Sequence, residues 1–279
     1  MFEQRFIADA ISRSAENAVD RRRFFRAAGV AGFGAGAAIL ASGAAANASK
    51  GTDDSSGVSD AAILNFALNL EYLEAEFYLR ATTGEGLSDS MTTGKGDRGS
   101  VQGGREVSFK TAVIKKFAQE IASDEKDHVA FLRSALGSAA VSRPKISLDD
   151  SFTAAARAAG LIGAHEKFDV YANEVNFLFG AFIFEDVGVT AYKGAAPLIS
   201  NKTYLEAAAG LLAVEAYHAG TIRATLYALG VETPSIYTTA QKISDARDSL
   251  DGSSDDDQGI GTADKANIVP TDDNGLAFS

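Results

Sequence analysis

Between residues 60 and 230 the chain repeats one pattern four times. Each repeat is a long run without proline in which apolar residues return every three or four positions. In the first run, residues 60–80, Leu64, Ala67, Leu68, Tyr72 and Ala75 share one helical face, and Ser59 or Asp60 marks its start. Glycines from Gly84 to Gly104 then predict a loop. The second helix is expected from about Ser108 to Gly137. A long crossover follows, with Pro144 and a short helix at about 151–159. The third helix covers roughly 169–193 and is stopped by Gly194 and Pro197. The fourth runs from about Thr203 to Leu229, with Thr203 and Glu206 as a capping box and Gly230 and Pro234 as its end. A short amphipathic helix near 238–250 is expected to pack outside. No alternating β-branched run occurs, so the fold class is all-α: a four-helix bundle over residues 59–232, a short helix within 233–250, and one long connection between the second and third helices.

The polar positions inside these runs carry the chemistry. Glu185 sits in FLFGAFIFEDVGV, and Glu215 and His218 sit in LLAVEAYHAG. An unpaired carboxylate among such residues costs several kcal/mol, on the order of the desolvation penalty, or shifts its pKa. A bound cation would offset that cost. Glu125 and His128 form E-x-x-H in the second helix; Glu215 and His218 form it in the fourth. At an offset of three, both side chains share a face and converge on one ion. Fifteen Glu and three His placed at random would give about 0.16 such pairs; two are present.

An internal repeat supplies the other ligands. Glu71 is followed seven residues later by Tyr78, and Glu185 by Tyr192. Glu125 is followed eight later by Arg133, and Glu215 by Arg223. The two helical pairs are thus related by a pseudo-two-fold. The repeat selects Glu71 over its neighbours: Glu74, one turn on, is a candidate supporting group and the alternative to Glu71 as ligand, and Glu76 should point outward. The expected ligand set is Glu71, Glu125, His128, Glu185, Glu215 and His218. Four carboxylates balance two divalent ions, and this donor set favours two Fe ions, alternatively Mn. Tyr78 and Tyr192 are candidates to hydrogen-bond the ligand carboxylates, with core filling and a radical relay as alternatives. Arg133 and Arg223 are expected to pair with nearby carboxylates; an ion pair from either to Glu185 is the competing reading of that residue. His165, in the crossover, reads as a surface residue.

Composition narrows the picture. The chain has no cysteine, which excludes disulfides and thiolate metal sites. A net charge of -11 makes a nucleic acid an unsuitable partner, and a mean hydropathy near zero argues against a multi-span membrane protein. From Asp245 onward there are nine Asp and no Glu against Arg247 and Lys265. Residues 251–279 therefore read as a solvated, disordered acidic tail; a calcium loop there lacks its closing Glu.

The N-terminus reads as an export signal. Residues 20–26 are DRRRFFR, followed by an Ala- and Gly-rich stretch and Ala46-Asn47-Ala48 before Ser49. Arg21-Arg22 with Phe24 resemble a twin-arginine signal, with Asp20 where Ser or Thr is usual. An uncleaved anchor is the alternative. Cleavage after Ala48 removes six basic and four acidic residues, so the remaining chain carries -13. The expected location is the periplasm or cell envelope, with no membrane contact once the signal is gone.

The strings LNFALNLEYLEAEFY, DEKDHVAFLRSALG, FIFEDVGVTAYKGA and LLAVEAYHAGTIR resemble the ferritin-like domain of desiccation-related proteins, from about Asp60 to Gly230. The resemblance implies the ferritin-like bundle and a metal site, and implies little about a reaction. A di-iron or di-manganese oxidoreductase (peroxidase, ferroxidase or catalase-like) acting on O2 or H2O2 is one functional expectation. A non-enzymatic protein for desiccation stress or metal sequestration is the other. The long crossover and the tail argue against a 24-mer cage, though a smaller oligomer fits.

Overall fold

The computed structural model of the chain describes residues 58–250 and 256–277. The arginine pair and the expected cleavage site lie outside them. Among the described residues six α-helices carry the architecture: α1 (Asp60–Thr83), α2 (Ala112–Leu136), α3 (Asp150–Ala158), α4 (Glu174–Ala195), α5 (Lys202–Glu232) and α6 (Ser235–Asp248). α1, α2, α4 and α5 form an all-α, ferritin-like bundle, packed most closely as the pairs α1–α2 and α4–α5. Two-residue ladders are the described β-structure. β1 (Val101–Gln102) pairs in parallel with β2 (Ile146–Ser147), and β3 (Gly261–Thr262) antiparallel with β4 (Lys265–Ala266).

Local chemistry explains most boundaries. Ser59 caps α1 by accepting from the Ala62 amide, and Gly84 ends it at φ 79°, where a Cβ would be strained. α2 starts at Ala112, four residues after the Ser108 expected from the sequence. Its cap comes from elsewhere: the Glu174 carboxylate, in the first turn of α4, accepts from the Lys110 and Thr111 amides and the Thr111 hydroxyl. α4 starts at Glu174 rather than near 169 because Asn173 accepts from the Val175 and Asn176 amides. The expected capping box of Thr203 and Glu206 is displaced in the same way. Asn201 takes the Thr203 and Tyr204 amides, while Asp60 accepts from the Ser200 and Asn201 amides and ties the start of α5 to that of α1.

The core is continuous through all four long helices. Phe77 is its aromatic centre, stacked on Phe177 at 5.3 Å and edge-on to Phe184 at 5.0 Å. α4 has the length and apolarity of a membrane span, but most of it is buried inside the bundle. Two segments outside the four-helix frame are built into the fold. The glycine-rich stretch and the crossover cover the outer side of α1. Glu76, expected to point outward, is consequently fully buried: it binds Arg80 at 2.9 Å and Arg143 of the crossover. Residues 256–277, expected as a solvated tail, pack against α5 and α6, with Ile260 fully buried and Arg247 bound to Asp257 at 2.5 Å. The buried guanidinium groups that order this segment have no local sequence signature.

Candidate metal centre

All six expected ligands meet at the middle of the bundle. Glu71 comes from α1, Glu125 and His128 from α2, Glu185 from α4, and Glu215 and His218 from α5. The four carboxylates are essentially inaccessible, and each histidine is 7% exposed. Their donors fall into two sets. Glu71, Glu125, His128 and Glu215 offer one atom each within 4.8 Å of one another; Glu125, Glu185 and His218 do the same. Glu125 belongs to both. Its Oε2 lies 3.3 Å from His128 Nδ1 and its Oε1 lies 3.2 Å from His218 Nδ1. The imidazole rings face each other, 6.4 Å apart.

Many of these donor atoms lack protein partners. Both oxygens of Glu125 and of Glu215, Oε2 of Glu185 and Nδ1 of His218 are buried without a hydrogen bond. The approaches of 3.2–3.6 Å between imidazole and carboxylate are mostly off hydrogen-bond geometry. Such a cluster of unsatisfied lone pairs is costly in a fold unless a cation occupies the space between them. The residues therefore fit a metal ion, offering it carboxylate oxygens and two imidazoles as donors.

Electrostatics report the same crowding. Burial, then the charge of Glu125, pushes the Glu71 carboxyl up to about 8. Burial and the neighbouring carboxylates push Glu74, Glu185 and Glu215 up as well. Burial opposes the charge of Glu125 too, but the His128 and His218 imidazoles close against its two oxygens prevail and hold it down at about 2. The imidazoles respond in kind. Burial alone would lower them, yet Glu125 and Glu71 raise His128 to about 10, and Glu125 and Glu185 raise His218 to about 11. Without an ion, protons occupy the place of positive charge.

The tyrosines close the site symmetrically. Tyr78 of α1 donates to Oε1 of Glu185 on α4, and Tyr192 of α4 donates to Oε1 of Glu71 on α1. Burial and these carboxylates raise both phenols well above their usual range, so they remain donors. Each leaves the second oxygen of its glutamate facing the centre. Glu74 is buried on the same face of α1, between Glu71 and Tyr78.

The arginines stand elsewhere. Neither binds Glu185. Arg223 pairs with Asp186 at 2.8 Å, as expected of a carboxylate partner. Arg133 donates instead to the Tyr72 hydroxyl at 2.5 Å and to the carbonyls of Thr93 and Ser90. His165 is exposed in the crossover. Two residues escaped the sequence reading. Asp124 lies 3.0 Å from Nε2 of His218, and Gly188 leaves space that Glu215 fills; a Cβ there would collide with Oε2 of Glu215. Asp124 directly precedes a ligand, but only the bundle reveals that it serves the histidine of another helix.

Comparison with known proteins agrees with this architecture. A family model described as a ferritin-like domain matches residues 59–228. The chain is 33% identical over 237 residues to the desiccation-related protein PCC13-62 of Craterostigma plantagineum, covering 79% of this chain and 74% of that one. It is 29% identical over 219 residues to the ferritin-like catalase Nec2 of Nesocodon mauritianus, covering 75% and 69%. No solved structure matches it significantly. A matched bundle spanning most of the described residues, with a buried carboxylate–histidine cluster at its centre, places this chain in the ferritin-like domain family.

Proposed function

We propose that the chain is an exported redox protein that holds two iron or manganese ions and acts on hydrogen peroxide or dioxygen. The carrying observation is the set of buried, unpartnered donors on Glu125, Glu185, Glu215 and His218. Glu71, Glu125, His128 and Glu215 would hold one ion, and Glu125, Glu185 and His218 the other. When bound, the metal pair would supply two-electron exchange with the oxidant. The chain's own part is geometric and electrostatic. Tyr78 orients Glu185 and Tyr192 orients Glu71, and the bundle excludes bulk water. His128 and His218 give up the proton on Nδ1 when an ion binds, since that atom faces the carboxylates in both. Among oxidants, peroxide is favoured by the relative named as a catalase.

Protein purified from its own host is expected to carry two ions per chain by elemental analysis and to release oxygen from added peroxide at an oxygen electrode. Finding no metal would reject the site. Finding metal without turnover would favour the second reading, a protective or sequestering protein, which the desiccation-related relative supports. Export by the twin-arginine route is tested by replacing Arg21 and Arg22 with Lys, after which the precursor should remain in the cytoplasm. Undiminished export would reject that route.

A further inference from the structure

Resting on the reading of a two-ion site, we infer that its two positions are inequivalent: the position served by His128 fills first, and the position served by His218 depends on Asp124 as a positioning residue. The pseudo-two-fold makes the comparison exact in sequence. Position 124 on α2 corresponds to 214 on α5, and position 74 on α1 to 188 on α4. At the first pair stand Asp124 and Val214; at the second, Glu74 and Gly188. The symmetry that relates the ligands is broken immediately beside them.

The donors divide unequally as a result. Nδ1 of His128 is 3.2 Å from Glu71, 3.3 Å from Glu125 and 3.6 Å from Glu215. Nδ1 of His218 is 3.2 Å from Glu125 and 3.3 Å from Glu185. Three carboxylates surround the first position and two the second. Gly188 contributes to this division, because Glu215 extends an oxygen into the space beside it. In a buried, low-dielectric centre one extra carboxylate strongly favours the first cation.

The poorer position has a compensating support. Nε2 of His218 lies 3.0 Å from Asp124, which would hold the Nε2 proton and present Nδ1 to Glu125 and Glu185 as the atom that gives up its proton to an ion. A carboxylate behind a ligand imidazole sets its tautomer, fixes its ring and raises its basicity, and its loss typically weakens metal affinity about 10- to 100-fold. Val214 has no acceptor to offer His128, whose position relies on its third carboxylate instead. Asp124 is 39% exposed, so replacing it leaves the core packing intact.

The test is calorimetric titration of metal-free protein with Mn2+ at fixed pH. Wild type should take up two ions in two resolved steps. Asp124→Ala should weaken the weaker step about 10- to 100-fold and leave the tighter step unchanged. Asp124→Asn, which keeps an acceptor but not the charge, should fall between. One step with two identical ions in wild type would overturn the inference while preserving the two-ion reading. So would variants that weaken both steps or neither. No uptake by wild type would instead reject the metal site itself. Melting of the metal-free variants by circular dichroism provides a second readout. A variant that no longer folds would make Asp124 structural and overturn the assignment.

Discussion

The α1–α2 and α4–α5 halves solve one structural problem with different partners. Each carries an arginine eight residues after its E-x-x-H glutamate, and each arginine clamps a segment from outside the four-helix frame. Arg133 reaches Tyr72 and the carbonyls of Ser90 and Thr93 in the glycine-rich stretch. Arg223 reaches Asp186 and the carbonyls of Gln258, Gly259, Asn267 and Ile268 in the C-terminal segment. Tyr72 and Asp186 are themselves equivalent, directly following Glu71 and Glu185. The repeat therefore extends beyond the ligands to the coverings of the bundle. The difference is charge: one half uses a neutral phenol, the other a buried carboxylate that also binds Arg247 at 3.2 Å.

The largest expected effect acts where the halves meet. Glu185→Gln and Glu215→Gln should each lose metal, because two cations are then under-neutralised. The metal-free variants should be as stable as metal-free wild type or more so, since one repelling carboxylate is gone. Wild type alone should gain stability from added ferrous or manganous ion. Thermal melts with and without metal decide this. A large loss in Glu185→Gln irrespective of metal would remove that residue from the ligand set.

The arginines test the coverings. Arg223→Ala should cost about 3 kcal/mol or more, because it removes a partner from buried Asp186 and strands several carbonyls. Arg133→Ala, which leaves a neutral hydroxyl and more exposed carbonyls, should cost about 1 kcal/mol. Equal losses in urea denaturation would deny that charge distinguishes the two clamps.

The pH dependence of the metal-free protein follows from the centre. Glu71, raised from 4.5 to about 8, and His128 and His218, raised from 6.5 to about 10 and 11, bind more protons folded than unfolded in those windows. Stability should therefore fall as pH rises from about 5 to 10. Glu125, lowered to about 2, contributes its stability above 4.5 and no slope beyond it. The stabilisation conferred by metal should instead grow over the lower part of the range, because binding expels those protons. Parallel denaturation series at pH 5.5 and 8.5 would show the opposed slopes; parallel curves would refute them.

The smallest effect concerns a single cap. Glu174→Ala should cost about 1 kcal/mol by releasing the amides that open α2. Hydrogen bonding to Thr111 and Lys110 overcomes partial burial and lowers the Glu174 carboxyl. Its contribution should thus persist above the usual glutamate range and disappear as pH falls below it. Hydrogen exchange at Lys110 and Thr111 reads the change directly.

The four long helices, their ferritin-like order and the meeting of Glu71, Glu125, His128, Glu185, Glu215 and His218 were legible in the residue pattern. These follow from short-range rules: apolar spacing sets a helical face, an offset of three puts Glu and His on it, and a repeat relates two halves. The tertiary structure alone decided what covers those helices. The burial of Glu76 needed Arg143, 67 positions away, and the ordering of residues 256–277 needed Arg223 and Arg247. The start of α2 depends on Glu174, and the support of His218 depends on Asp124 across the helix interface. In each case a charged residue reads locally as solvated. Its real environment is set by a partner distant in the chain, and low-dielectric burial makes that partner decisive.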